Sequence, residues 1–254
     1  MPDTLFMIHG MWTSPWYWEN YKKFFEKKEY QCITYALRFH DMDPKDKPDP
    51  ELGTVSLLDY ADDLEREITQ LGTKPIIIGH SMGGLLAQIL GTRGLAKALV
   101  LLTPAPPAGI MALKPSVIRS FWSTLTKWNF WKKPMRLTFN EAVYSILNLL
   151  PKEGHRPTYD KFVYESGQAA AEIGFWMFDN NKATRIEETK VTCPVLVIGG
   201  AKDRITPVSV TRQIAKKYKA TYKEFANHAH WLIAEPGWEE IADYIHNWLQ
   251  EDSE

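Results

Sequence analysis

The residue with the clearest chemical potential is Ser81. It stands in Gly79-His80-Ser81-Met82-Gly83-Gly84, a G-x-S-x-G stretch. The apolar run Ile76-Ile77-Ile78 comes before it, and a helix-forming segment opens near Met82. A serine at a sharp strand-to-helix turn is held in a strained backbone with its hydroxyl projecting above the sheet. Small residues at 79 and 83 let strand and helix backbones approach. The helix N-terminus favours negative charge developing nearby. A glycine-rich turn with an incidental serine would require neither flanking element. The pattern points to nucleophilic attack on a carbonyl through an acyl-enzyme.

A sheet has to present that turn. Short apolar runs recur at Leu5–Ile8, Cys32–Leu37, Pro75–Ile78, Ala98–Leu102 and Val195–Ile198, with a weaker one at Thr221–Phe225. They lack polar alternation, as expected of parallel strands covered on both faces. Amphipathic helices lie between them. Leu57, Ala61, Leu64, Ile68 and Leu71 make one helical face. Thr206-Pro207 reads as an N-cap and first helical residue, and Pro236 as the opening of a last helix. The alternation predicts an α/β, mostly parallel sheet of about six strands flanked by helices. Residues 104–186 show no convincing strand and are broken at Pro115, Pro134, Pro151 and Pro157. They are expected to form a helical cap between the fourth and fifth strands, on a core of residues 1–103 and 187–254.

Composition narrows the function classes. The 254 residues carry 30 Lys and Arg against 31 Asp and Glu, a net charge of −1 that does not suit a general nucleic-acid binder. The hydrophobic fraction of 44% excludes a disordered chain. Two cysteines, Cys32 and Cys193, exclude a disulfide scaffold and a zinc module. The N-terminal residues do not read as a secretory signal and no apolar run is long enough to span a membrane, so a cytoplasmic location is expected. The ten tryptophans are an excess to be explained by an aromatic core or an aromatic-lined site.

With the Ser81 motif in its strand–turn–helix setting, the chain resembles the α/β-hydrolase superfamily over essentially its whole length. In starting at the strand leading to His9-Gly10, it is similar to the compact plant methylesterase and hydroxynitrile-lyase group. The resemblance implies an oxyanion hole from two backbone N–H groups. Met82, directly after the serine, supplies one. Ile8-His9-Gly10-Met11 resembles the family's H-G-x loop, which makes Met11 the other and His9 structural. The family order is serine, acid, histidine. Asp203 is the first carboxylate after Val195–Ile198, and with Pro207 it matches the family's D-x-x-x-P. The alternative acid position after the fourth strand is ruled out, because no Asp or Glu occurs from Ala98 to Asn140. The order leaves His228, His230 and His246 as the base. His230-Trp231 with Glu235 and Pro236 fits the family register, so His230 is assigned and His228 is the fallback. The resemblance implies no metal and no organic cofactor.

The cap sequence speaks to substrate. Phe121, Trp122, Trp128, Phe130 and Trp131 cluster, and Phe175-Trp176-Met177-Phe178 follows. Trp12, Trp122, Trp128, Trp176 and Trp231 are the expected substrate-binding aromatics, and an apolar small-to-medium ester is the expected substrate. Lys114, Arg119, Lys127, Lys132, Lys133 and Arg136 make the same segment basic. A solvated helix face, peripheral contact with anionic lipid, and attraction of an anionic substrate all fit that charge. Lactonase, thioesterase, C–C bond hydrolase or perhydrolase chemistry would use the same three residues, and a ligand-binding receptor would retain the fold. A hydroxynitrile lyase is disfavoured because Met11 and Trp231 stand where that group's threonine and lysine would, and a dehalogenase is excluded by serine at 81.

Overall fold

In the computed structural model, which describes residues 2–112 and 114–251, the apolar runs become parallel strands. β1 (Thr4–Ile8) leads to α1 (Glu19–Glu26), β2 (Gln31–Tyr35), α2 (Leu57–Gln70), β3 (Ile76–His80), α3 (Met82–Thr92) and β4 (Ala98–Leu102). Every residue of β3 and β4 is buried, which is why neither sequence alternates. α2 buries Leu57, Tyr60, Ala61, Leu64 and Ile68 along one face, and Ser56 with Asp59 closes its N-terminus as a capping box. α3 is buried from Met82 to Gly91, as its apolar sequence all round the helix requires.

An insertion follows. It contains α4 (Pro115–Ser120), α5 (Trp122–Leu125), β5 (Pro134–Met135), α6 (Phe139–Ser145), α7 (Lys152–Tyr159), β6 (Glu165–Ser166) and α8 (Gly167–Gly174). β5 and β6 pair antiparallel over two residues each. No strand pattern is visible there in the sequence, because two residues are too few to display a period. Two buried carboxylates pin the insertion to the rest of the chain. Glu165 accepts from Tyr60 Oη at 2.8 Å and lies 3.0 Å from His40 Nε2. Glu172 accepts from Ser56 Oγ at 2.7 Å and from the Leu57 N–H at 2.8 Å, at the start of α2.

The sheet resumes with β7 (Val195–Gly200), α9 (Val208–Tyr218), β8 (Thr221–Phe225) and α10 (Trp238–Glu251). The six long strands run in the order β2-β1-β3-β4-β7-β8, all parallel. The chain moves outward from β1 to β2, then returns to place β3 on the other side of β1. Loops leaving the carboxyl ends of β1 and β3 therefore diverge over a crevice, the usual position for a ligand in such a sheet. The register Ile8↔Gly79 brings the loop after β1 beside the turn after β3.

Three boundaries differ from expectation. α9 starts at Val208 with Pro207 as its N-cap, because the Thr206 N–H is bound to Asp203 instead of opening a helix. α10 starts at Trp238, because Gly237 at φ 89° cannot be helical. Pro157 lies inside α7, which ends at Tyr159.

Candidate active site

Ser81 sits between β3 and α3 with φ 54° and ψ −118°. That conformation costs a residue with a side chain about 1–3 kcal/mol, so its surroundings must impose it. The Ser81 N–H donates to Leu102 O at 3.0 Å, and the Ser81 carbonyl accepts from the Gly84 and Ala105 N–H groups at 3.0 and 2.8 Å. The turn also needs its glycines. A Cβ on Gly79 would lie 2.2 Å from Gly83 O, and one on Gly83 would lie 2.2 Å from Ile8 O.

His230 comes from the loop after β8. Its Nε2 lies 3.1 Å from Ser81 Oγ and its Nδ1 lies 2.7 Å from Asp203 Oδ2. Asp203, from the loop after β7, accepts the Ile205 and Thr206 N–H groups on Oδ1 at 2.7 and 2.8 Å. Its two oxygens are thus divided between its own loop and the imidazole. With Nδ1–H donated to the carboxylate, Nε2 is left to accept the hydroxyl proton. Ser81, Asp203 and His230 are all buried.

The other candidate histidines are engaged elsewhere. His228 Nδ1 lies 3.1 Å from Glu235 Oε1, which also accepts the Ala229 N–H at 2.8 Å. Glu235, used in the sequence only to set a register, therefore ties the His228–His230 loop together. His246 on α10 is 3.3 Å from Tyr30 Oη. His9 donates Nδ1–H to Gly10 O at 2.8 Å and accepts the Leu37 N–H on Nε2 at 3.2 Å. Both of its nitrogens are in use, and burial, reinforced by neighbouring His40, brings its pKa down to about 3. His9 is a neutral structural residue under the loop after β1.

Sequence reasoning passed over His80. Its Nε2–H donates to the carbonyl oxygen of His230 at 2.8 Å, and the two rings lie 4.7 Å apart. Burial, and then the charge that His230 would carry, holds His80 well below the ordinary histidine pKa. The variable position of a G-x-S-x-G motif carries no pattern that could have revealed this contact.

The two expected oxyanion donors face one cavity. Met82 is the first residue of α3, so its N–H has no acceptor within the helix. The Met11 N–H finds no backbone acceptor among the described residues. Ser81, Met11 and Met82 all border a cavity of about 920 Å³ that includes its mouth. The insertion supplies most of the wall: Val117 and Ile118 from α4, Phe121 and Leu125 around α5, and Ala170 and Ile173 from α8. Among the described residues, no charged side chain lines it.

Of the five tryptophans expected on substrate, Trp176 alone borders this cavity. Trp12 is buried behind it, 5.6 Å from the ring of Phe121, which does line it. Trp231 is buried in a stack with Trp16, Tyr17 and Phe162. Trp122 and Trp128 point outward, 60% and 80% exposed. The tryptophan excess therefore does not enclose Ser81. Aliphatic and phenylalanine side chains of the insertion, with Trp176, form the wall, while Trp12 and Trp231 are buried and Trp122 and Trp128 face outward.

A family profile described as the alpha/beta hydrolase family matches residues 5–244. Solved structures of similar shape include a methylesterase from Arabidopsis, with 11% identity and a TM-score of 0.72, covering 98% of this chain and 99% of that one. The Paleococcus ferrophilus monoacylglycerol lipase is 21% identical with a TM-score of 0.73, covering 99% and 96%. A pyrethroid hydrolase from Sphingobium faniae is 17% identical with a TM-score of 0.73, covering 98% and 97%. Comparison with curated protein sequences finds no match.

Proposed function

The chain belongs to the α/β-hydrolase family, and on that premise we propose that it is a serine hydrolase of apolar small-to-medium carboxylic esters. The observation that carries this reading is the continuous hydrogen-bond line from Ser81 Oγ through His230 to Asp203, opening on an apolar cavity. Three similar structures bear the names of a methylesterase, a lipase and a pyrethroid hydrolase, which favours ester substrates. In this reading residues 104–186 act as a cap that shapes the substrate pocket, over a hydrolase core of residues 1–103 and 187–254.

The steps follow from the geometry. His230 Nε2 takes the Ser81 proton as Oγ attacks the ester carbonyl, and Asp203 stabilises the imidazolium through Nδ1–H. The carbonyl oxygen becomes an oxyanion that accepts from the Met11 and Met82 N–H groups. Collapse expels the alcohol, protonated by His230, and leaves an acyl-Ser81. Water, deprotonated by His230, then attacks the acyl carbon and releases the acid. No step draws on a metal or an organic cofactor. The ester group sits at Ser81 and its apolar portion fills the cavity under α4, α5 and α8.

The test is hydrolysis of p-nitrophenyl esters of increasing acyl length by wild type and Ser81→Ala. Wild type turns them over, and loss of the nucleophile lowers kcat by about 10⁵-fold or more. Turnover surviving in Ser81→Ala would overturn the mechanism. Labelling of Ser81 by a fluorophosphonate without turnover of any ester would overturn the substrate class.

A further inference from the structure

The large hydrophobic side chains that the chain leaves exposed are unevenly distributed. Among the described residues all of them fall between Met111 and Phe178, within the insertion. Trp122, Trp128, Trp131, Met177 and Phe178 stand out from the surface, with Trp128 and Phe178 80% and 79% exposed. Met111, Ile118 and Phe175 are exposed as well, and these three also line the cavity at Ser81. Ring contacts join the pieces. Trp128 lies 6.1 Å from Trp131, Trp131 5.5 Å from Phe130, and Phe130 6.1 Å from Phe175. This line of rings joins the exposed Trp128 and Trp131 to Phe130 and Phe175 in the cavity wall. Contiguous exposed apolar surface of this kind marks an interaction site.

The charge around it is predominantly positive. Lys114, Lys127 and Lys132 are exposed, and no carboxylate among the described residues pairs with them. Lys133 Nζ donates to Trp128 O, and Arg119 stacks 3.9 Å from the ring of Tyr144; neither forms an ion pair among the described residues. Two carboxylates of the insertion, Glu141 and Asp179, are held by hydrogen bonds within the insertion. Glu141 accepts from Ser123 and Thr138, and Asp179 accepts from the Asn181 and Ala183 N–H groups.

We propose that this outer face of the insertion docks on an anionic lipid surface, with the mouth of the Ser81 cavity turned toward the lipid. Indole rings favour the boundary between headgroups and acyl chains, where one edge is apolar and the other wet. Lysines flanking such rings gain from a negative surface potential. Docking this way lets an apolar ester pass from lipid into the cavity past Met111, Ile118 and Phe175 without crossing water. The role of the cavity rests on the hydrolase reading, whereas the docking does not, and the two are tested apart.

Binding is measured on the Ser81→Ala protein, by co-sedimentation with phosphatidylcholine vesicles prepared with and without phosphatidylglycerol. Binding is expected on the anionic vesicles at low salt, weakening as salt rises. Lys127→Gln with Lys132→Gln should weaken it by about fivefold for each charge removed. Trp128→Ser with Phe178→Ser should weaken it by about tenfold or more. Both pairs lie off the cavity lining, so with Ser81 restored they should hydrolyse a short, water-soluble ester as wild type does. No co-sedimentation at low salt overturns the proposal, and so does equal binding by the substituted proteins. A lipid-free dimer that Trp128→Ser with Phe178→Ser dissolves into monomers also overturns it, since a second copy would then be the occupant.

Discussion

His80 Nε2 donates a hydrogen bond to the carbonyl oxygen of His230 at 2.8 Å. The residue before the proposed nucleophile thus holds the backbone of the proposed base. The turn after β3 and the loop after β8, far apart in sequence, are fixed to one another by this bond. It sets the position from which His230 reaches Ser81 Oγ.

Removing that bond should act on chemistry more than on binding. His80→Ala is expected to lower kcat by about 10-fold to 100-fold with little change in KM, because a base displaced by a fraction of an ångström is poorly aimed. His80→Gln retains an N–H donor and should recover part of the loss. A defect confined to KM, or a Gln variant no better than Ala, contradicts the positioning role. Steady-state kinetics on one p-nitrophenyl ester decides it.

The two neighbouring histidines should separate cleanly. His230→Ala should abolish ester turnover, by about 10⁴-fold or more. His228→Ala should retain turnover within about tenfold but cost about 1–3 kcal/mol of stability, since it leaves buried Glu235 short of a partner. Activity and urea midpoint measured on both variants test this, and the reverse pattern would make His228 the base.

Glu165 is a buried fastening between the insertion and the core. Glu165→Ala strands His40 and Tyr60 without their shared acceptor. Losing one partner of a buried ion pair costs about 3–5 kcal/mol. Burial opposes the charged form of His40, but the charge of Glu165, its hydrogen bond and backbone hydrogen bonds to Arg38 and Leu37 together raise the His40 pKa. The protonated pair therefore contributes fully below the unfolded histidine value near 6.5, and this contribution fades as pH rises through the folded value. The stability gap between wild type and Glu165→Ala should narrow as pH rises. A gap that widens toward alkaline pH would contradict the assignment.

His9 has the opposite sign. Burial holds its folded pKa at about 3 while the unfolded chain takes up a proton near 6.5. Its contribution is complete above about pH 6.5 and is lost as pH falls toward the folded value, amounting to about 2 kcal/mol by pH 5. Thermal unfolding of wild type and His9→Gln from pH 7 to pH 5 should show the gap between them closing. A gap that stays constant would mean that His9 is protonated in the folded protein.

Each prediction draws on a feature that was legible in the chain to a different degree. The buried parallel strands could be read because β3 and β4 bury both faces and so lack alternation. Ser81 was legible because its turn demands small residues at 79 and 83, and Asp203 and His230 because each sits just after a strand in a recognisable register. These are local constraints, written in adjacent residues. The β5–β6 pair, the His80–His230 bond and the Glu165 fastening join residues that are distant in the chain, and no periodicity announces them. The tryptophans show the same division. Their number was plain in the sequence, but whether an indole lines a cavity, packs under it as Trp231 does, or faces outward as Trp128 does depends on which surfaces the insertion brings together. Local pattern determined the strands and singled out the proposed reacting side chains. Only tertiary packing decided what surrounds them, because a pocket wall is assembled from segments whose proximity is encoded in no single stretch of chain.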